Sequence, residues 1–201
     1  MNAHPQTLNE LSIIQFNCNH SNHKKERPFF DSLDPHNHHI IALQEPHYYT
    51  GIGATYCPPG YVLAMSNNPA TRVAFLVTQE LQIADWYIEN HGPNLASLVL
   101  SLTKERTHFF NVYNDISATS EATNTPILHE ARAAIAKVMM PRTEENGQET
   151  AEKSVILLGD FNLHHLNWGG DYIAGTEKAE KLVEIVNLFG MTLLLPRGAE
   201  T

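Results

Sequence analysis

The sequence predicts an α/β fold, a two-sheet β-sandwich flanked by helices. Strand-like runs follow one another from residue 61 to 113 with no helical stripe between them, which argues against a simple alternation of parallel βαβ units. Two later stretches, 126–139 and 176–189, carry apolar residues at helical spacing. With 201 residues, 42% hydrophobic and 17% charged, the chain has a globular composition and can build a core without disulfide staples. We therefore read 1–201 as a single domain.

Leu11 to Phe16 is a first strand, running into the polar cluster Asn17-Cys18-Asn19-His20. Lys24 to Leu33 suits a short helix. His39 to Leu43 is a strand of buried type that stops at Gln44-Glu45-Pro46. Pro46 has no N–H for a ladder and biases Glu45 toward extended backbone, so Glu45 stands at a strand's end. Tyr61 to Met65 and Arg72 to Val77 are two strands joined by the turn-forming Ser66-Asn67-Asn68-Pro69. Leu81 to Ile88 and Leu95 to Leu102 continue the pattern around His91-Gly92-Pro93-Asn94, and Thr107 to Tyr113 ends in Asn114-Asp115.

Thr125 is a natural N-cap, with Pro126 at the first helical position. Ile127, Leu128, Ala131, Ile135, Val138 and Met139 form the core-facing stripe of this helix, and Pro141 stops it. Arg142 to Lys153 is a polar, Glu-rich loop. Ser154 to Leu158 is the clearest buried strand and runs straight into Gly159-Asp160-Phe161-Asn162. Thr176 to Phe189 is a second helix with Gly190 at its C-terminal cap, and Met191 to Leu195 is a last strand.

Acidic residues outnumber basic ones 22 to 13, a formal net charge of −9, which excludes a nucleic-acid binder that works by bulk positive charge. A local basic or metal-neutralised cleft stays open. No window holds 18 consecutive apolar residues, so no membrane partner is expected. The N-terminus has no basic start and no apolar core of a secretory signal, and two cysteines, Cys18 and Cys57, suit a reducing nuclear or cytoplasmic setting. Of twelve histidines, seven precede residue 50: His4, His20, His23, His36, His38, His39 and His47. They read as surface residues; His36, His38 and His39 could hold a stray transition metal.

Four strand-like runs end in polar side chains: Asn17 and Asn19, Glu45, Tyr113 and Asn114, and Asp160 and Asn162. Strand ends of a sandwich can converge on one rim. Two carboxylates, several amides and a phenol suit a hard cation with oxygen ligands, and Mg²⁺ uses few protein carboxylates alongside water and phosphate oxygens. The cysteines lack zinc-type spacing. Asp160 and Asn162, two apart, share one side of an extended stretch, so a base and a neutral amide address one region. A plain Asp/Asn turn is the alternative at these two positions. Tyr113 could equally be a half-buried aromatic, Asn17 and Asn19 loop caps, and Glu45 a solvated strand end. Lys24, Lys25 and Arg27 could meet a DNA backbone or form a solvated face.

Asn17-Cys18-Asn19, Leu43-Gln44-Glu45-Pro46, Asn111-Val112-Tyr113-Asn114 and Gly159-Asp160-Phe161-Asn162-Leu163-His164-His165 resemble, in order and spacing, the endonuclease/exonuclease/phosphatase superfamily. The last motif, with Trp168 just after it, looks most like the apurinic-type endonuclease domain of fungal non-LTR (LINE-type) retrotransposons. The resemblance implies a DNase I-like fold and Mg²⁺, with Mn²⁺ as a substitute. It implies that Glu45 binds the metal with Asn17 close by. Asp160 would orient or deprotonate the attacking water, Asn162 would hydrogen-bond the scissile phosphate, and Tyr113 would steady the phosphate or the developing charge. Asn19, at a position often Asp in repair enzymes, is read with Asn114, His164 and His165 as substrate-binding.

Relatives of this type also carry a Ser-Asp-His segment near the C-terminus, and this chain shows none. We accordingly expect a C-terminally incomplete domain missing its last strands. The expected activity is divalent-metal-dependent phosphodiester hydrolysis that nicks DNA. Two alternatives stand beside it: a phosphatase of the same fold acting on a small phosphate ester, and a catalytically inactive fragment.

Overall fold

Runs of β-branched and aromatic residues build eight strands in the computed structural model, which describes residues 10–21, 23–51, 53–81, 85–102, 105–115, 126–140, 152–169, 175–196 and 198. In chain order these are β1 (Ile13–Asn17), α1 (His23–Ser32), β2 (Ile40–Gln44), β3 (Tyr61–Ala64), β4 (Val73–Thr78), β5 (Trp86–Gly92), β6 (Leu95–Leu102), β7 (Glu105–Tyr113), α2 (Pro126–Met139), β8 (Glu152–Asp160), α3 (Leu166–Gly169) and α4 (Glu177–Leu188). The strands form two sheets of four, ordered β1-β2-β4-β3 and β5-β6-β7-β8. β1 runs parallel to β2 and β7 parallel to β8, while the other pairings are antiparallel. The expected mixed sandwich is the observed architecture.

Three apolar layers hold it together. Ile40, Ala42, Phe75 and Val77 of one sheet pack against Ala96, Leu98, Leu100 and Phe109 of the other. Outside the first sheet, Phe30 of α1 closes over Ile41, Leu43, Ala74 and Leu76. Outside the second, Ile127, Leu128, Ala131 and Ile135 of α2 and Leu182 and Ile185 of α4 cover Leu95, Phe110 and Val112. Burying each such side chain is worth about 1.5–3 kcal/mol. This helix–sheet–sheet–helix stacking points the C-terminal ends of β1, β2, β7 and β8 toward one rim.

Several local expectations change. The first four strand-like stretches shift by at most two residues at their ends, and the strand expected from Leu81 begins at Trp86. Residues 82–84, Thr125, and the Pro141 stop with most of the Glu-rich stretch after it lie outside the described residues. Glu152 and Lys153 belong to β8, because they pair in register with Glu105 and Arg106. Val155 to Leu158 are half-buried rather than buried, since β8 is an edge strand with one neighbour. Thr176 caps α4 by accepting from the Ala179 N–H, and Gly190 beyond its end takes a left-handed φ of 61°. Met191 to Leu195 form no strand: no described strand pairs with them, and Leu193, Leu194 and Leu195 are exposed.

Candidate active site

The site is assembled from strand ends of both sheets. Asn17 closes β1, and its Oδ1 accepts from the Asn19 N–H at 2.7 Å, which curls the chain out of the strand. The following residues are tied to the next strand end: Cys18 N donates to Gln44 O (2.8 Å) and His20 N to Glu45 O (3.0 Å). Glu45 N donates in turn to Arg72 O at 2.8 Å. On the other sheet, Tyr113 and Asp160 are register partners of β7 and β8. The sheets meet where Asn17 Nδ2 donates to Asp160 Oδ2 at 2.5 Å.

Asp160 Oδ1 also accepts from the Asn162 N–H at 3.1 Å, so two donors fix the orientation of this carboxylate. Asn162 Nδ2 donates to Asn114 O (2.9 Å), and Asn114 Nδ2 to Phe161 O (2.6 Å). Glu45, 7% exposed, receives His20 Nε2 at 3.0 Å and Arg72 Nη1 at 3.5 Å. The Tyr113 hydroxyl is hydrogen-bonded to Glu45. Burial first, then that bond and the charges of Glu45 and Asp115, push the phenol well above its ordinary range, with Arg72 opposing. Tyr113 is therefore a neutral donor at physiological pH.

Asn17, Glu45, Tyr113, Asp160 and Asn162 are thus linked through one set of contacts. Their backbone is unusual too. The non-glycine residues with positive φ among the described residues are Asn19 (50°), His20 (47°), Glu45 (48°) and Asn162 (49°), all in this site. Each such residue costs on the order of 1–3 kcal/mol, and strain of this kind clusters at functional sites. Glu45 does not take the extended backbone expected before Pro46. Its N–H and C=O are bonded to β4's approach and to the loop after β1, and those two bonds dictate its turn. Gly159 lies inside β8 rather than at an exit turn. With φ of 140°, it lets the strand pass so close to β7 that a Cβ would lie 2.0 Å from Val112 O.

Three of the substrate-side expectations change. Asn114 is 3% exposed with its amide donating to Phe161 O, so it braces the Asp160–Asn162 loop from behind. His165 has both ring nitrogens engaged, with Glu180 Oε1 at 3.1 Å and the Asn167 N–H at 3.1 Å, and packs against Trp168. It shapes the loop before α4. His164 is exposed and gives its carbonyl to Thr176 N, outside the bonded cluster. Asn19 stays at the rim, exposed.

Sequence reasoning missed Arg72, Asp115 and His20: Arg72 and His20 contact Glu45, and Arg72, bonded to Asp115, lies over the Tyr113 ring. It also missed a buried amide brace between the sheets. Asn111 Nδ2 donates to Leu43 O and Ala74 O, its Oδ1 accepts from Gln44 Nε2 (2.6 Å), and Gln44 Oε1 accepts from Gln15. Behind the site, Glu26 of α1 is buried, and burial lifts its carboxyl above the usual range. The Cys18 thiol beside it is pushed up by burial first and by Glu26 second. No spacing signal marks Glu26, a polar residue in the first turn of a short helix.

Among the described residues, no three of His, Cys, Asp and Glu gather as a ready-made metal cage. The donor chemistry nonetheless fits Mg²⁺: two carboxylates, Glu45 and Asp160, and the Asn17 amide are the sparse oxygen set this ion accepts.

Residues 107–201 match the family described as Endonuclease-reverse transcriptase. No curated protein matches the chain. Among solved structures, the endonuclease domain of TRAS1, a telomere-specific non-LTR retrotransposon, superposes with a TM-score of 0.60 at 13% identity. That similarity covers 94% of this chain and 75% of the other. The AP endonuclease LMAP from Leishmania major gives a TM-score of 0.60 at 15% identity, covering 88% of this chain and 66% of that one. The chain is thus similar to this endonuclease family over residues 107–201, and along nearly all its length it shares the fold of these endonuclease domains.

Proposed function

We propose that this chain is a Mg²⁺-dependent phosphodiesterase domain of retrotransposon origin, nuclear or cytoplasmic, whose substrate is DNA and whose product is a nick. The observation that carries the reading is the Asn17–Asp160 bond, 143 residues apart in sequence, with Glu45 and Tyr113 beside it. Glu45, with Asn17 near it, would hold the ion, which when bound supplies charge neutralisation at the phosphate and the leaving oxygen. Asp160, held by two donors, takes up the proton of the attacking water or orients it. Asn162 uses one N–H of its amide on Asn114 O and keeps the second for a phosphate oxygen. Tyr113 stays protonated and donates to charge that develops on the phosphate.

The test is nicking of supercoiled plasmid. Activity is expected with Mg²⁺, not in EDTA, and to fall about 10²–10⁴-fold in Asp160→Asn. Nicking that survives either treatment refutes the mechanism. A formal charge of −9 favours the second reading, a phosphatase acting on a small soluble ester, because a polyanion meets net repulsion. The same protein assayed on a soluble phosphate ester decides between them, and inactivity on both marks a domain without turnover.

A further inference from the structure

Arg72, one residue ahead of β4, brings a cation into the cluster of Glu45, Asp115 and Tyr113. Its backbone is pinned on both sides: its N–H donates to Pro93 O at 2.7 Å, and its C=O accepts from Glu45 N at 2.8 Å. Pro93 and Asn94 form the β5–β6 turn, and Asn94 O also accepts the Tyr113 N–H. The guanidinium therefore starts from the same framework that sets the two residues it approaches. Its Cζ lies 5.3 Å from the centre of the Tyr113 ring.

The contacts of the head group are one-sided. Nη1 donates to Asp115 Oδ2 at 2.7 Å and reaches Glu45 Oε1 at 3.5 Å. Nε and Nη2 have no hydrogen-bond partner among the described residues, and the side chain is 31% exposed. An arginine present only to neutralise these carboxylates would offer its two-pronged edge to one of them. Here one nitrogen serves both acids and the remaining donors of the planar fork are left over. Those donors suit two oxygens of a tetrahedral phosphate. The electrostatics ask for such a group, since a phosphate entering here meets Glu45, Asp115 and Asp160 together.

We infer that Arg72 binds the substrate phosphate through its free guanidinium edge, with Asp115 as the positioning residue that aims it. The inference rests on the phosphoester-hydrolase reading above and adds to it the chain's own cation for the phosphate. Asp115 holds the head group by one corner. Tyr113 supports it from the ring face. A lysine at position 72 keeps the charge but loses the fork, so it recovers only part of the binding.

The experiment is a titration of the whole domain with inorganic phosphate, followed by NMR. The arginine Nε–H signal that disappears in Arg72→Lys is assigned to Arg72 and is expected to move saturably. Phosphate affinity, read from the backbone amides of Phe161 and Asn162, is expected to fall about tenfold or more in Arg72→Gln. It should fall by a smaller factor in Arg72→Lys, and by a factor between the two in Asp115→Asn. A silent Arg72 signal overturns the inference, as does an unchanged phosphate affinity in Arg72→Gln. The signal in the unsubstituted protein decides the matter even where Arg72→Gln folds poorly. A domain that fails to nick DNA but whose Arg72 responds to phosphate removes the endonuclease reading and keeps this one. Nicking with an unresponsive Arg72 does the reverse.

Discussion

Asn19, His20, Glu45 and Asn162 hold a backbone conformation that L-residues avoid, and each does so beside a group the chemistry needs. Gly159 is the reverse case, a residue whose missing side chain lets Asp160 arrive in place. In Gly159→Ala the new methyl collides with backbone, the Val112 carbonyl at 2.0 Å, and backbone cannot rotate away as a side chain can. We expect a loss of about 3 kcal/mol or more in urea unfolding, and lower nicking activity in whatever fraction folds. At this scale the sequence was partly legible. Strand-end polar residues marked Asn17, Glu45, Tyr113, Asp160 and Asn162. Arg72 escaped notice because an arginine ahead of a strand has the same pattern whether it is solvated or aimed at a carboxylate.

At the scale of elements, β5, β6 and β7 carry a stack with an acid-side consequence. His91 and His108 each stack against Phe110, with ring centres 5.7 and 6.4 Å from it, and His91 shares a hydrogen bond with Ser97. Burial is the leading cause that lowers both imidazoles. Lys137 of α2 adds to it at His91, while Arg106, Lys153 and His91 add to it at His108; Glu89 opposes at both. An unfolded histidine takes a proton near pH 6.5, whereas these two resist it when folded, so the unfolded state binds more protons below that pH. Stability is full above about 6.5 and declines as the pH drops through that value. Urea midpoints measured from pH 7.5 to 5 should show the decline, and His91→Gln with His108→Gln should flatten it. Elements were legible where apolar runs had partners. The run Met191 to Leu195 has the composition of a strand but pairs with no strand among the described residues, and pairing is a tertiary fact that no window of residues contains.

For the whole molecule, the two sheets are joined by more than apolar packing. Asn111 offers both amide hydrogens to the first sheet and receives one from Gln44, so a single side chain satisfies three buried groups. Asn111→Leu keeps the branched outline of the side chain, with larger methyl ends, and strands all three. We expect a loss on the order of 3 kcal/mol in urea unfolding. A drop much below 1 kcal/mol would show that the groups find other partners. The sandwich itself was legible, because consecutive strands and two amphipathic helices leave few ways to bury their apolar sides. The amide brace was not, since a polar residue within a strand gives no sign of the partner it will find on another sheet.

β1 and β8 are the outermost strands of their sheets and lie against each other across the sandwich. Both are half-covered along their apolar sides, while β2 and the inner part of β7 are sealed. Asn17 and Asp160 sit at the tips of those two margins, so the proposed water-activating acid is mounted on a half-covered end strand rather than on the sealed interior of a sheet.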